Sequence, residues 1–379
     1  MKKLTRLVAV AACAALAIGL GACSSSRDSD SPGGDTTTAG DAPKTAEAYI
    51  GIAMPTKSLE RWNNDGAYLE QQLTALGYKS TLQYADNKTD QQISQIQNMI
   101  NDGVTVLVVA SIDGTVLGPV LEQAANNDIT VIAYDRLINA TPNVDYYATF
   151  DNYMVGQLQG QYIEEALNLK TADGPFNLEP FAGSPDDNNA KFFFSGAWDV
   201  LKPYIDSGKL VVPSGKSPAS NDQWQAIGIQ GWTTATAQSE MQNRINSFYA
   251  DKKVDAVLSP NDSLALGIEQ ALEGAGYQPD VDWPIVTGQD GDLANVKNIL
   301  ADKQAMTVWK DTRILADQVA KMVQEIVTGA TVSVNNTTDY NNGIKNVPSY
   351  LLPLEVITKA NVEERLVGTD FYSADQLGL

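Results

Sequence analysis

The chain has 379 residues, no histidine and two cysteines, with 43% apolar content and a formal net charge of −20. These counts exclude a Ser-His-Asp triad, a Cys-His dyad and a His-ligated zinc, but leave room for chemistry by paired carboxylates, lysine or tyrosine. The acidity argues against nucleic acid as a partner, because phosphate binding needs clustered Lys and Arg, and the length allows one large or two medium domains.

The chain opens with Lys2, Lys3 and Arg6, followed by an apolar run from Leu7 to Leu20. That run is too short to span a bilayer comfortably and has the layout of an export signal. Leu20-Gly21-Ala22-Cys23 then resembles a bacterial lipobox. The reading is a lipoprotein signal peptide over 1–22, with Cys23 lipidated and anchored to the outer face of the cell membrane. The rivals are an ordinary cleaved signal with an incidental Cys and a short membrane anchor. Loss of Lys2, Lys3 and Arg6 takes the net charge from −20 to −23, and Cys13 leaves with the signal. The folded part then has no disulfide, and its stability must come from core burial. Residues 23–46 are rich in Ser, Gly, Thr, Asp and Pro, which predicts a flexible tether.

From Tyr49 onward, short apolar runs alternate with amphipathic ones. Strands are predicted at 49–54, 79–84, 104–110 and 130–134, with helices at 62–76, 91–101 and 116–126. The alternation restarts after Phe150. Helices are predicted at 155–169, 192–205, 234–250, 264–275, 293–300 and 314–327. Strands are predicted at 177–182, 209–212, 256–259, 284–288 and 306–309. Continuous apolar strands between helices mean parallel sheets covered on both faces. One sheet of so many strands is improbably wide, so the fold class is α/β with two lobes.

Ligands of such sheets bind beyond the carboxyl ends of the strands. Those ends carry Glu60-Arg61-Trp62, Asp135-Arg136, Asp151-Asn152, the run from Pro185 to Lys191, Asn261-Asp262, Gln289-Asp290 and Lys310. Asp, Asn, Arg and Lys beside Trp suit a neutral polyhydroxylated ligand. Each hydroxyl donates one bond and accepts two, and charged partners give the stronger bonds. Each motif also has a plainer reading. Asp262-Ser263 has the look of a helix cap, Gly288-Gln289-Asp290-Gly291 of a strand-to-helix turn, and Trp62 of the first buried helix residue.

Taken together with Gly231-Trp232, Thr307-Val308-Trp309-Lys310 and the segment from Asn341 to Ser349, these residues resemble a known family. The chain looks like a type I periplasmic binding protein of the monosaccharide group, near the xylose-binding and multiple-sugar-binding (ChvE-like) receptors of ABC importers. The resemblance implies two Rossmann-like lobes joined by a three-segment hinge, with the ligand in the interlobe cleft. Residues 47–150 and 292–337 are expected in the N-terminal lobe, and 151–291 and 338–379 in the C-terminal lobe. Arg61, Asp135 and Arg136 are implied to reach the sugar from the first lobe. Asp187, Asn189, Trp232, Asn261 and Asp290 are implied to do so from the second lobe and hinge, with Lys310 joining them. Trp62 and Trp232 are the implied stacking pair, and Lys57, Asn152 and Lys191 the implied neighbours. Trp309 stands where relatives often carry Tyr, and Trp224 has no family role.

The function so implied is capture of an aldopentose or aldohexose (xylose, glucose, galactose or arabinose) for delivery to a permease. No cofactor, metal or nucleic acid is expected, and a monomer is. The enzyme rival is a glycoside hydrolase using two of Asp135, Asp187 and Asp290. Neighbouring Arg and Lys are expected to lower those carboxyl pKa values and disfavour a general acid. A transcription regulator of the same fold needs a basic helix-turn-helix before residue 50, where the export signal stands. Presentation of the sugar to a membrane sensor shares the same site. With unperturbed side chains, sugar affinity is expected to be nearly flat between about pH 5 and 8.

Overall fold

The computed structural model describes residues 48–379. The expected signal peptide, Cys23 and the tether lie outside the described residues. The first half of the fold runs β1 (Tyr49–Met54), α1 (Glu60–Ala75), β2 (Lys79–Tyr84), α2 (Thr89–Asn101), β3 (Val106–Val109), α3 (Gly118–Asn126), β4 (Thr130–Tyr134) and β5 (Tyr146–Phe150). The chain then enters α4 (Asn152–Ala166), β6 (Phe176–Pro180), α5 (Asn188–Asp206), β7 (Leu210–Val211), α6 (Thr234–Phe248), β8 (Ala256–Leu258), α7 (Asp262–Gly274) and β9 (Ile285–Val286). It ends with β10 (Gln289–Asp290), α8 (Leu293–Leu300), β11 (Thr307–Trp309), α9 (Thr312–Thr328), β12 (Ser349–Leu352), β13 (Glu355–Ile357) and α10 (Ala374–Leu377).

The first lobe is a six-stranded sheet in the order β12-β5-β4-β3-β1-β2, and its pairings are all parallel. Because side chains alternate along a strand, each strand feeds two cores. Ile50, Ile52, Val106, Val108 and Ile132 face one way and pack with Leu69, Leu73, Leu315 and Val319 of α1 and α9. Ala53, Leu107, Val109, Val131 and Ala133 face the other way and pack with Ile96, Met99, Val120 and Leu121 of α2 and α3. This is why VLVV of β3 is apolar at every position.

The second lobe holds a four-stranded parallel run, β7-β6-β8-β9, and a three-stranded run, β10-β11-β13. The pairing of β11 with β13 is antiparallel. Ile163, Leu178, Leu201, Ala256 and Leu258 make a core on one side of β6 and β8, and α6 and α7 contribute Ala237, Met241, Leu264 and Ile268 on the other.

Strand pairing corrects the expected division at 292 and 338. β11 sits between β10 and β13, which keeps 307–309 in the second lobe. β12 pairs with β5, which places 349–352 in the first. The chain therefore passes between lobes three times: at Asp151, at Lys310-Asp311 and at Pro353-Leu354. Two of these crossings also start helices. Asp151 Oδ1 accepts from Met154 N at 3.0 Å, and Asp311 Oδ1 from Arg313 N at 3.0 Å. The short strands β10, β12 and β13, the helix α10 and the helical turns at 221–227 and 230–232 were not expected from the sequence pattern.

Candidate functional site

The carboxyl ends of β1, β4 and β5 face those of β6, β8, β10 and β11 across the cleft. Side chains from both lobes converge there on a small cavity of about 20 Å³. Ten of the thirteen expected ligand residues line it: Arg61, Trp62, Asp135, Arg136, Asp187, Asn189, Trp232, Asn261, Asp290 and Lys310. All are buried, Lys310 to 1% exposure.

Arg61, in the first turn of α1, is the electrostatic centre. Its Nη2 donates to Asp135 Oδ1 at 2.9 Å, its Nη1 to Asp290 Oδ1 at 3.1 Å and its Nε to Asp65 Oδ2 at 3.1 Å. The contact with Asp290 joins the two lobes. A second ion pair does the same, Arg136 Nε to Asp187 Oδ2 at 2.9 Å. The two guanidiniums lie 4.5 and 5.1 Å from the Trp62 ring, within cation–π range. Lys310 Nζ stands 4.0 Å from Asp135 Oδ1 and 4.6 Å from the Phe193 ring.

Helix starts position the second lobe's groups. Asp187 caps α5, with Oδ1 accepting from Asn189 N at 2.9 Å, and its Oδ2 accepts from Trp232 Nε1 at 3.1 Å. Asn189 Nδ2 in turn donates to the Asp135 carbonyl at 2.8 Å. Asn261 caps α7, accepting from Leu264 N at 3.1 Å, so the cap is Asn261 and not Asp262. Trp232 lies flat against Gly183, where a Cβ would come within 2.0 Å of the indole ring. Only glycine admits the ring there. Asp135, Trp232 and Asp290 all have positive φ (59°, 55° and 102°), a backbone region that non-glycine residues occupy at a cost and that concentrates at functional sites.

Burial pushes Asp135 up, but Arg61, Lys310 and Arg136 outweigh it and hold its carboxyl below the usual range. Burial lowers Lys310, with Asp135 opposing. One of the three carboxyls expected to be lowered departs from that expectation, and a neighbour outside the set is raised as well. Asp187 is raised, because burial outweighs Arg136. Asp65 is pushed up by burial to about 6 despite Arg61. The premise of unperturbed carboxylates therefore fails in and beside the cavity, at Asp187 and Asp65 among others.

Three expected residues do not line the cavity. Lys57 is exposed, its Nζ 4.9 Å from the Tyr84 ring. Lys191 lines an outer groove with Trp224 and Asp222, its ammonium 3.5 Å from the Asp222 carboxylate. Asn152 is buried behind the wall, donating to Tyr147 Oη at 3.3 Å. Three lining residues were missed: Leu59, Phe193 and Gln289. Phe193 lies four residues after Asn189 on the same face of α5, which was the available signal. Gln289 sat inside a noted motif beside Asp290. Trp309 turns away from the cavity and meets Phe371 edge-on at 5.1 Å.

Trp62 Nε1 and Gln289 Oε1 are buried with no hydrogen-bond partner among the described residues. Buried polar atoms normally have partners. The lining thus offers donors and acceptors to a ligand, between the aromatic surfaces of Trp62, Phe193 and Trp232.

Residues 50–331 match the periplasmic binding protein domain family. The chain is 51% identical over 329 residues to the multiple sugar-binding periplasmic receptor ChvE of Rhizobium radiobacter, covering 86% of this chain and 92% of that protein. It is 38% identical over 331 residues to the D-xylose-binding periplasmic protein of Escherichia coli, covering 87% and 93%. A solved ABC transporter solute-binding protein from Clostridium phytofermentans, with β-D-glucose bound, is 54% identical and superimposes with a TM-score of 0.83 over 87% of this chain and 99% of its own. With two α/β lobes, three crossings and a buried polar cleft between them, this chain belongs to the type I periplasmic binding protein family, alongside the ChvE and xylose-binding proteins.

Proposed function

We propose that this chain is an extracytoplasmic binding protein that captures one monosaccharide and delivers it to an ABC permease. The carrying observation is the cavity itself, where three carboxylates, two guanidiniums, an ammonium and three amides surround a space walled by three aromatic rings. Such a set saturates the hydroxyls of an aldose ring, while indole and phenyl planes accept its C–H faces. A hydroxyl of the wrong configuration leaves a buried group unpaired, which gives stereochemical selectivity. The sugars named for similar proteins, D-xylose and β-D-glucose, support an aldopentose or aldohexose.

The pairs Arg61–Asp290 and Arg136–Asp187 tie the lobes together only when the cleft is shut. Closure thus desolvates the ligand and fixes the outer surface offered to the permease. We read the activity as binding without turnover. Asp135 is held ionised and Arg61 occupies its carboxylate, which suits an acceptor of hydroxyls and not a general acid. Cys23, preceded by small residues and followed by a Ser/Gly-rich stretch, supports a lipid anchor on the outer face of the membrane. Among the described residues no helix is long and apolar enough to cross one.

Isothermal titration with D-xylose, D-glucose, D-galactose and L-arabinose tests the reading. Saturable heat with one or more of them is expected, with no release of nitrophenol from nitrophenyl glycosides. Metabolic labelling with a fatty acid, lost in Cys23→Ser, tests the anchor.

A further inference from the structure

We propose that Asp262 is a positioning residue for the sugar site, holding segment 288–292 in the strained shape that brings the Asp290 carboxylate into the cleft. The proposal rests on the sugar-binding reading and adds a residue that does not line the cavity. Asp290 has a φ of 102° and is followed by Gly291 at 83°. Such a pair of angles in a non-glycine residue persists only when its surroundings over-determine it.

The surroundings here converge on one carboxyl. Asp262 Oδ2 accepts from both Gly291 N and Asp292 N at 2.9 Å, clamping the backbone directly after Asp290. Its Oδ1 accepts from Gln304 Nε2 at 2.8 Å, and the Thr307 hydroxyl lies 3.0 Å from both oxygens. Gln304 is fixed by Asn295 Nδ2 at 2.7 Å, which also donates to the Asp262 carbonyl at 2.9 Å. Before the strained residue, the Gly288 carbonyl accepts from Gln159 Nε2 at 2.9 Å. A Cβ on Gly288 would lie 2.1 Å from Asp262 Oδ1, so the absent side chain makes room for the clamp. Asp262 is fully buried and lies outside the cavity lining. Asn261 and Asp262 thus divide the work at the start of α7: Asn261 faces the cleft, and Asp262 fixes the segment that carries Asp290 toward Arg61.

A double-mutant cycle tests this. Wild type, Asp262→Asn, Asp290→Asn and the double variant are titrated with the best-bound aldose of the panel above, and each is melted. We expect Asp262→Asn to weaken binding about tenfold or more, and to add less than about twofold in the Asp290→Asn background, since coupled residues are non-additive. Thr307→Val, which removes one contact to the carboxyl, repeats the pattern with a smaller loss if Asp262→Asn does not fold. A variant that melts lower but binds within about twofold of wild type, or losses that multiply in full, overturns the proposal. Absence of heat in the wild type itself overturns the sugar reading, and the proposal with it.

Discussion

The cleft has an inner cavity and an outer groove, and Asp187 lines both. The groove carries Asp113, Asn139, Asp186, Lys191, Asp222 and Trp224, residue types much like those of the cavity. The ion pair in the groove joins Lys191 and Asp222, whose side chains are 51% and 85% exposed. The pairs in the cavity join side chains no more than 8% exposed. An exposed pair contributes up to about 1 kcal/mol. Breaking a buried one leaves a stranded charge and costs about 3–5 kcal/mol. The same chemistry therefore has two values, and burial decides which.

The sharpest break in that contrast is Asp290→Ala. It removes one of the three carboxylate partners of Arg61 and an acceptor for the sugar, so affinity should fall by about 2–5 kcal/mol in a calorimeter. An unchanged Kd would show that the inner pairs are no stronger than surface ones. Gly183→Ala acts next. It adds no charge, but its methyl collides with the Trp232 indole, and displacement of that ring should weaken sugar binding about tenfold while the fold survives.

Titration probes the same burial. Asp65 binds its proton up to about pH 6 in the fold because burial disfavours the carboxylate; the unfolded chain releases it near 4. A raised carboxyl pKa means the folded state holds more protons between those values. Stability should therefore fall as pH rises through about 6, by on the order of 1 kcal/mol per unit. Burial beside Asp290 pushes Asp262 higher, to about 8, and extends the decline. Melting in Asp65→Asn should show a flatter slope between about pH 4 and 6, and equal slopes would contradict the assignment. At the small end, Lys191→Ala and Lys57→Ala should leave Kd within about twofold, because both ammonium groups stand in water outside the cavity.

The sequence made most of this legible where periodicity and chemistry agree. VLVV of β3 and TVIAY of β4 read as buried parallel strands because both faces are covered. Polar residues at strand ends pointed to the cavity because parallel sheets gather those ends together. Illegible were features set by long-range geometry. Residues 349–352 join the first sheet only because the chain crosses back to lie beside β5. Lys191 follows Asn189 by two residues, and helical geometry turns it onto another face of α5, toward the groove. Asp262 has a sequence context identical to a helix cap, and its role depends on Gly291, Gln304 and Thr307 from later elements. Positive φ at Asp135, Trp232 and Asp290 leaves no mark in composition.

The central claim is that the inner cavity holds a single aldose, and direct titration of the purified wild-type chain with the aldose panel tests it. The account predicts saturable one-site binding of at least one pentose or hexose, lost in Asp290→Ala and retained in Lys191→Ala. No binding across the panel, or equal binding by wild type and Asp290→Ala, would contradict it.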